Sequence, residues 1–230
     1  MNRPTLLAVS HGTSDAAGAR AISALVDAVA ARLDDVEVRA AFVDVQEPDA
    51  VDALDAVEGP VVVVPLLLSS GFHVHHDLHG MVETREDAVV AAPLGPDPRL
   101  AAVLEERLRA EGPAAASAPA VILAVAGSRD PRSLTDAEGM AAVLRAHRDR
   151  PVELAYLAAR EPDLPTVLAA HPEAAVATYL LARGFFFDLA HRQAEGRLLA
   201  LPLLDGGAVP EPLIDLVVSR YEDAVPQLTA

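Results

Sequence analysis

Val61-Val-Val-Val-Pro-Leu-Leu-Leu-Ser-Ser-Gly-Phe-His-Val-His-His-Asp-Leu-His79 is the stretch whose reading decides the fold. Its apolar run, Val61 to Leu68, is opened by Gly59-Pro60 and closed by Gly71. A run of that length and composition reads as a strand buried on both faces. Strands of that kind belong to a parallel sheet with helices on either side. The residues after such a strand emerge at its carboxyl end, where ligands bind in open α/β sheets. His73, the first of four histidines there, is thereby placed where chemistry is done.

Strands and helices alternate outward from this stretch. Leu6 to Val9 is a strand, followed by the turn Ser10-His11-Gly12-Thr13-Ser14. Ile22, Leu25, Val26, Val29 and Leu33 repeat at helical spacing, so a helix runs from near Asp15 to Leu33, with Ser14 or Asp15 as its N-cap. Val36 to Val43 is the second strand, and Glu47-Pro48-Asp49 opens a helix over Ala50 to Val57. A third helix is expected from about His73–Asp77 to Glu86, a fourth strand over Ala88 to Ala92, and a fourth helix from Asp97-Pro98 to about Ala110. The pattern predicts an α/β fold of two tandem domains, each a four-stranded parallel sheet flanked by helices in the order 2-1-3-4. Gly112 to Pro119, small and uncharged, reads as the linker, which divides the chain into domains 1–112 and 119–230.

The second domain repeats the first. Leu6-Leu-Ala-Val with Gly12-Thr-Ser-Asp15 returns as Ile122-Leu-Ala-Val with Gly127-Ser-Arg-Asp130. Ala41-Phe-Val-Asp-Val-Gln-Glu-Pro-Asp49 returns as Ala155-Tyr-Leu-Ala-Ala-Arg-Glu-Pro-Asp163, and Pro65 to His73 returns as Thr178 to Phe186. Three segments in one order indicate duplication rather than chance likeness of Ala/Val-rich strands.

The two copies differ where chemistry is expected. His11, Asp44 and His73 are divalent-metal ligand types at three strand ends around the switch point between strands one and three. Their counterparts are a gap or Ala126, then Ala158, then Phe186. Joint loss of all three is what losing one shared site would produce. Two imidazoles and a carboxylate suit Fe²⁺, Co²⁺, Ni²⁺ or Zn²⁺. For Asp44 alone, capping its own turn is an equal reading. His75, His76 and His79 read as a polar helix face, and His147, His171 and His191 as surface or helix-end residues. Where the first copy has Ser14, Gln46 and Ser70, the second has Arg129, Arg160 and Arg183. Guanidinium groups at strand ends suit carboxylates, although such arginines often pair with nearby acids instead. If the copies face one another, one wall carries metal ligands and the other carboxylate clamps. The Gly12-Thr13-Ser14 turn can hold an anion at a helix N-terminus, but it has neither Gly-rich nucleotide pattern.

Composition narrows the partners. The chain has 230 residues, a net charge of −16 and no cysteine. Thiolate metal sites and disulfides are excluded, and nucleic acid is not an expected partner. No apolar run reaches the roughly 18 residues needed to span a bilayer. The N-terminus shows no signal-peptide pattern, so a cytoplasmic location is expected.

Ser10-His11-Gly12-Thr13, Phe42 to Pro48, and Pro65 through Gly71-Phe72-His73 with Asp77 resemble the sirohydrochlorin chelatases, over essentially the whole chain. The second half resembles the degenerate repeat of the long, fused members. The resemblance implies a lyase that inserts Fe²⁺ or Co²⁺ as a metal substrate into sirohydrochlorin, a polycarboxylate tetrapyrrole of sirohaem and cobalamin synthesis. No permanently bound cofactor is implied. His11 and His73 are implied as catalytic and metal-binding, with an acid after strand two. That acid is usually Glu; Asp44 is one methylene shorter. Ser10, Gly12, Thr13, Arg129, Arg160 and Arg183 are the candidates for substrate binding. Short members are homodimers, so a fused chain is expected to be a monomer. A non-catalytic metal or tetrapyrrole carrier, and a chelatase for another tetrapyrrole, are the alternatives.

Overall fold

The structure, a computed structural model, describes residues 3–71, 78–83 and 85–229. It divides into two compact units, Met1–Leu94 with Ala208–Ala230, and Gly95–Gly207. In the first, β1 (Thr5–Ser10), β2 (Val38–Phe42), β3 (Val61–Pro65) and β4 (Ala88–Val90) form a parallel sheet in the expected order β2-β1-β3-β4. Every residue of β1 and β3 is buried. Leu7, Val9, Val61 and Val63 share one face and pack in a core with Ala53, Leu54, Val57 and Leu78. The formal strand β3 stops at Pro65, short of the expected Leu68. The chain nevertheless stays fastened: the Leu66 N–H reaches Val9 O at 2.7 Å, and Leu67 O accepts from Leu94 N–H at 2.8 Å.

Three helices of the first repeat flank this sheet: α1 (Ala16–Arg32), α2 (Ala50–Asp55) and α3 (His79–Val82). Asp15 caps α1 by accepting from Gly18 N–H at 2.6 Å. The expected start of the third helix, His73 to Asp77, lies outside the described residues; the described part is the single turn α3.

The second unit holds α4 (Pro98–Ala110), α5 (Pro113–Ala116), β5 (Val121–Val125), α6 (Pro131–Ala146), β6 (Val152–Tyr156), α7 (Leu164–Ala170), β7 (Ala175–Tyr179) and α8 (Phe185–Gln193). Its sheet runs β6-β5-β7. The expected fourth strand is reduced to one bridge, Val176 with Leu199, because Pro202 comes soon after and cannot extend the ladder.

The linker expected at Gly112 to Pro119 is corrected: that segment lies inside the second unit. Ala115 is 0% and Ala118 3% exposed, so these two small residues are packed inside it. The chain crosses between units at Leu94–Gly95 and at Gly207–Ala208. The units therefore differ from domains 1–112 and 119–230 by one helix each. Helix α4 joins the second unit, and α9 (Glu211–Ala224) joins the first. One arginine in each helix fastens it. Arg107 donates to Pro202 O and Leu203 O at 3.1 and 2.8 Å and pairs with Asp205 at 2.9 Å. Arg220 donates to Pro93 O and Leu94 O at 2.8 and 3.1 Å. Leu94 N–H bonds Leu67 O and Leu203 N–H bonds Leu180 O, so the two Pro-Leu pairs hold matching places. Matching arginines thus bind matching carbonyls, each in the other repeat: the fourth helices are exchanged. Tyr221 adds a second tie for α9, its buried hydroxyl donating to Pro4 O at 2.7 Å; burial pushes its pKa up.

The loops after the first two strands of each sheet are duplicates. Val43 N–H reaches Ser10 O at 2.9 Å and Asp44 N–H reaches His11 O at 3.0 Å. In the second unit Leu157 N–H reaches Val125 O at 2.9 Å and Ala158 N–H reaches Ala126 O at 3.1 Å. Next in each loop comes a glycine, Gly12 (φ +90°) or Gly127 (φ +88°), and a Cβ on either would stand 2.0 Å from the Asp44 or Ala158 carbonyl oxygen. Only glycine fits. Phe42 N–H to Pro48 O and Tyr156 N–H to Pro162 O are both 3.0 Å. Asp49 caps α2 and Asp163 caps α7. The Thr166 contacts hold the Asp163 carboxyl below the usual carboxylate range.

This geometry sets the stability of three variants. Arg107→Ala strands two carbonyls and a carboxylate around a 6% exposed side chain and should cost about 3 kcal/mol, read as a lowered thermal midpoint. Gly12→Ala and Gly127→Ala should each cost at least ~2 kcal/mol, since both meet backbone rather than a movable side chain. An unchanged melting temperature in either glycine variant would contradict the loop geometry.

Candidate functional site

The carboxyl edge of the first sheet brings His11 and Asp44 together. Their backbones are joined by the 3.0 Å bond from Asp44 N–H to His11 O, so their side chains leave adjacent positions. Both residues are exposed. Asp44 also does the humbler task weighed for it: Oδ1 accepts from Val45 N–H at 2.8 Å. Oδ2 accepts no hydrogen bond among the described residues. Val45 closes a γ-turn at φ +68°, with Gln46 N–H on Asp44 O at 2.7 Å. A β-branched residue is seldom found in that region, and this one is held beside the candidate ligand.

The duplicated loops settle the residue opposite His11. It is Ala126, since Ala126 O accepts from Ala158 N–H as His11 O accepts from Asp44 N–H. Imidazole and carboxylate in one copy are two alanines in the other.

His73, the third expected ligand, lies outside the described residues, as do His75 and His76. His79 is described and exposed at the start of α3. Among the described residues no group of three histidine or acidic side chains assembles into a metal site.

Of the expected substrate contacts in this unit, Ser10 is 2% exposed, and its Oγ finds no hydrogen-bond partner among the described residues. Gly12 is required by the Asp44 carbonyl. Thr13 is engaged within the turn: its N–H donates to Gln46 Oε1 at 2.9 Å, and its Oγ1 accepts from Asp15 N–H at 3.1 Å. The amides of Thr13 and Asp15 are thus already committed within the turn.

The three arginines of the second unit are unlike one another. Arg160 occupies the place of Gln46 and performs its task, donating through Nε to Ser128 O and through Nη2 to Asp130 O, the latter at 3.0 Å. It braces the β5–α6 turn, which accounts for its presence without a carboxylate ligand. Arg129 is exposed at the tip of that turn. Arg183 lies over the Phe187 ring at 5.1 Å. A cation over a ring is held by the ring's quadrupole without using up its N–H donors.

Phe185 escaped the sequence reading. It is 69% exposed, packs edge-on against Phe186 at 5.3 Å and stands two residues from Arg183. Three of the chain's five phenylalanines fall in Phe185-Phe186-Phe187. That local density was the available signal, because successive helical residues point about 100° apart and cannot all face the core.

Comparison with known proteins agrees with the duplicated architecture. The CbiX family model matches residues 5–111 and again 120–196. The sirohydrochlorin cobaltochelatase of Methanosarcina acetivorans is 27% identical over 121 residues, spanning 45% of this chain and 93% of that protein. That of Methanosarcina barkeri is 26% identical over the same shares. Among solved structures, SirB from Bacillus subtilis with Fe³⁺ has a TM-score of 0.81 at 19% identity, covering 97% of this chain and 96% of its own. A CbiX described as the terminal enzyme of sirohaem biosynthesis in denitrifying bacteria has a TM-score of 0.72 at 18% identity, covering 96% and 99%. At those identities the structures speak for the fold. The family model, matched in both repeats over most of the sequence, carries the assignment: the chain belongs to the CbiX family.

Proposed function

We propose that the protein is a metal chelatase that inserts Fe²⁺ or Co²⁺ into sirohydrochlorin, for sirohaem or cobalamin biosynthesis. The observation that carries this reading is the His11–Asp44 juxtaposition at a sheet edge whose duplicate holds two alanines. Family membership and the relatives named as sirohydrochlorin cobaltochelatases support it. No helix among the described residues is long and apolar enough to cross a membrane. A monomer is the assembly this reading favours, since both repeats and both exchanged helices lie on one chain.

The reaction removes two pyrrole N–H protons as a hydrated dication enters the macrocycle, so the charge of the core is unchanged and water is released. In this reading His11 and His73 hold the ion as neutral imidazoles, and as the ion passes to the macrocycle the nitrogen freed on one of them accepts one pyrrole proton, the other proton going to water. Asp44 assists through Oδ2 or orients an imidazole. The metal is a substrate that has to leave for the macrocycle, so few protein ligands, with water completing the shell, serve better than a closed cage. Exposure of both His11 and Asp44 is consistent with an ion that enters and departs. Arg129 and Arg183 are assigned to the carboxylates of the substrate. Arg160 belongs with them by position, but its geometry favours a bracing role.

An anaerobic absorbance assay with sirohydrochlorin and either metal, at catalytic protein concentration, tests this reading. Multiple turnovers are expected, with His11→Ala and His73→Ala each losing at least about a hundredfold in rate. A spectral change that stops at one equivalent of protein would indicate a carrier, and wild-type rates in either variant would sink the ligand assignment. Arg183→Ala should raise KM for sirohydrochlorin several-fold, whereas Arg160→Ala should chiefly lower the melting temperature.

A further inference from the structure

We propose that Phe185, with Arg183 beside it, is a binding element for the tetrapyrrole: Phe185 contacts the conjugated macrocycle, and Arg183 takes one of its peripheral carboxylates. The inference rests on the chelatase reading and extends it to the repeat that has lost the metal ligands.

Packing does not explain Phe185. Phe187 is 5% exposed in the core of the second unit, and Phe186 packs against the same core. That leaves Phe185 at 69%, the most exposed of the large hydrophobic side chains that stand out from the described surface. It is nonetheless held in place, because the edge of one ring meets the face of the other at 78° with Phe186. An apolar ring fixed in orientation and presented outward loses little freedom when a flat ligand covers it.

The neighbouring charge says what kind of ligand fits. The protein carries a net charge of −16, so an anionic ligand needs cations placed locally, and Arg183 is two residues from the exposed ring. Arg183 lies over the Phe187 ring at 5.1 Å, and its N–H groups have no hydrogen-bonded acceptor among the described residues, which leaves them for a carboxylate. A flat apolar surface bordered by acids matches an exposed aromatic ring with a guanidinium two residues away in the chain. Phe186, the anchor of the arrangement, is the counterpart of His73 in the repeated sequence.

The test is a titration of metal-free sirohydrochlorin against wild type, Phe185→Ala, Phe185→Tyr and Arg183→Ala, monitored by absorbance, with the melting temperature as a folding control. Phe185→Ala should weaken binding about tenfold with an unchanged melting temperature, while Phe185→Tyr stays within about twofold of wild type. Co²⁺ dependence of insertion at saturating sirohydrochlorin should be unaffected in Phe185→Ala. Wild-type affinity in Phe185→Ala, alongside normal turnover by the wild-type protein, would overturn this inference and leave the chelatase reading intact. A wild-type protein that neither binds nor metallates sirohydrochlorin would overturn both.

Discussion

The bond from Asp44 N–H to His11 O is the joint on which the site depends. It carries the β1–β2 ladder past the formal ends of both strands, and so places an imidazole and a carboxylate on neighbouring backbone positions. Glycine is then required at position 12, because the Asp44 carbonyl occupies the space of any Cβ. Asp15 caps the helix that starts there, with Thr13 and Gln46 filling the turn. The second repeat keeps the joint, the glycine and the capping aspartate while replacing both side chains with alanine. The backbone geometry therefore persists in both copies, while the imidazole and the carboxylate are present in one.

Exchange of the fourth helices shows a different constraint. Each sheet needs an apolar helix face to complete its burial, and α4 and α9 supply it to the opposite repeats. Arg107 and Arg220 fasten them to matching Pro-Leu carbonyls. Arg32 binds Glu211 and Asp215 and holds the start of α9 to α1, which raises the Arg32 pKa, but these groups are exposed and add little stability. Buried Arg107 matters more, because the Pro202 and Leu203 carbonyls it binds belong to buried residues. Neither repeat is a closed folding unit by itself; each is finished by a segment far away in sequence.

Much of this was legible in the sequence. Alternating strands and helices, the order 2-1-3-4 and the duplication all rest on local pattern, and the strands buried on both faces announce themselves as apolar runs. The exchange was hidden because Arg107 and Arg220 look like ordinary surface arginines, and the carbonyls they bind are about a hundred residues away. Gly112 to Pro119 has the composition of a linker, yet Ala115 and Ala118 are small because they are buried. Topology was enough to pair His11 with Asp44, whereas it could not foretell the employment of Arg160. A guanidinium bracing a turn and one awaiting a carboxylate look alike until the carbonyls of Ser128 and Asp130 are in view.

Division of labour between the repeats is the central claim. The most direct measurement is a crystal structure of the protein soaked with Co²⁺, with the ion located by its anomalous scattering. A single strong peak is expected within about 2.5 Å of a His11 ring nitrogen at the edge of the first sheet, and none at the Ala126–Ala158 edge of the second. A cobalt ion bound at the second edge, or held by His147, His171 or His191 with the His11 edge empty, would contradict it.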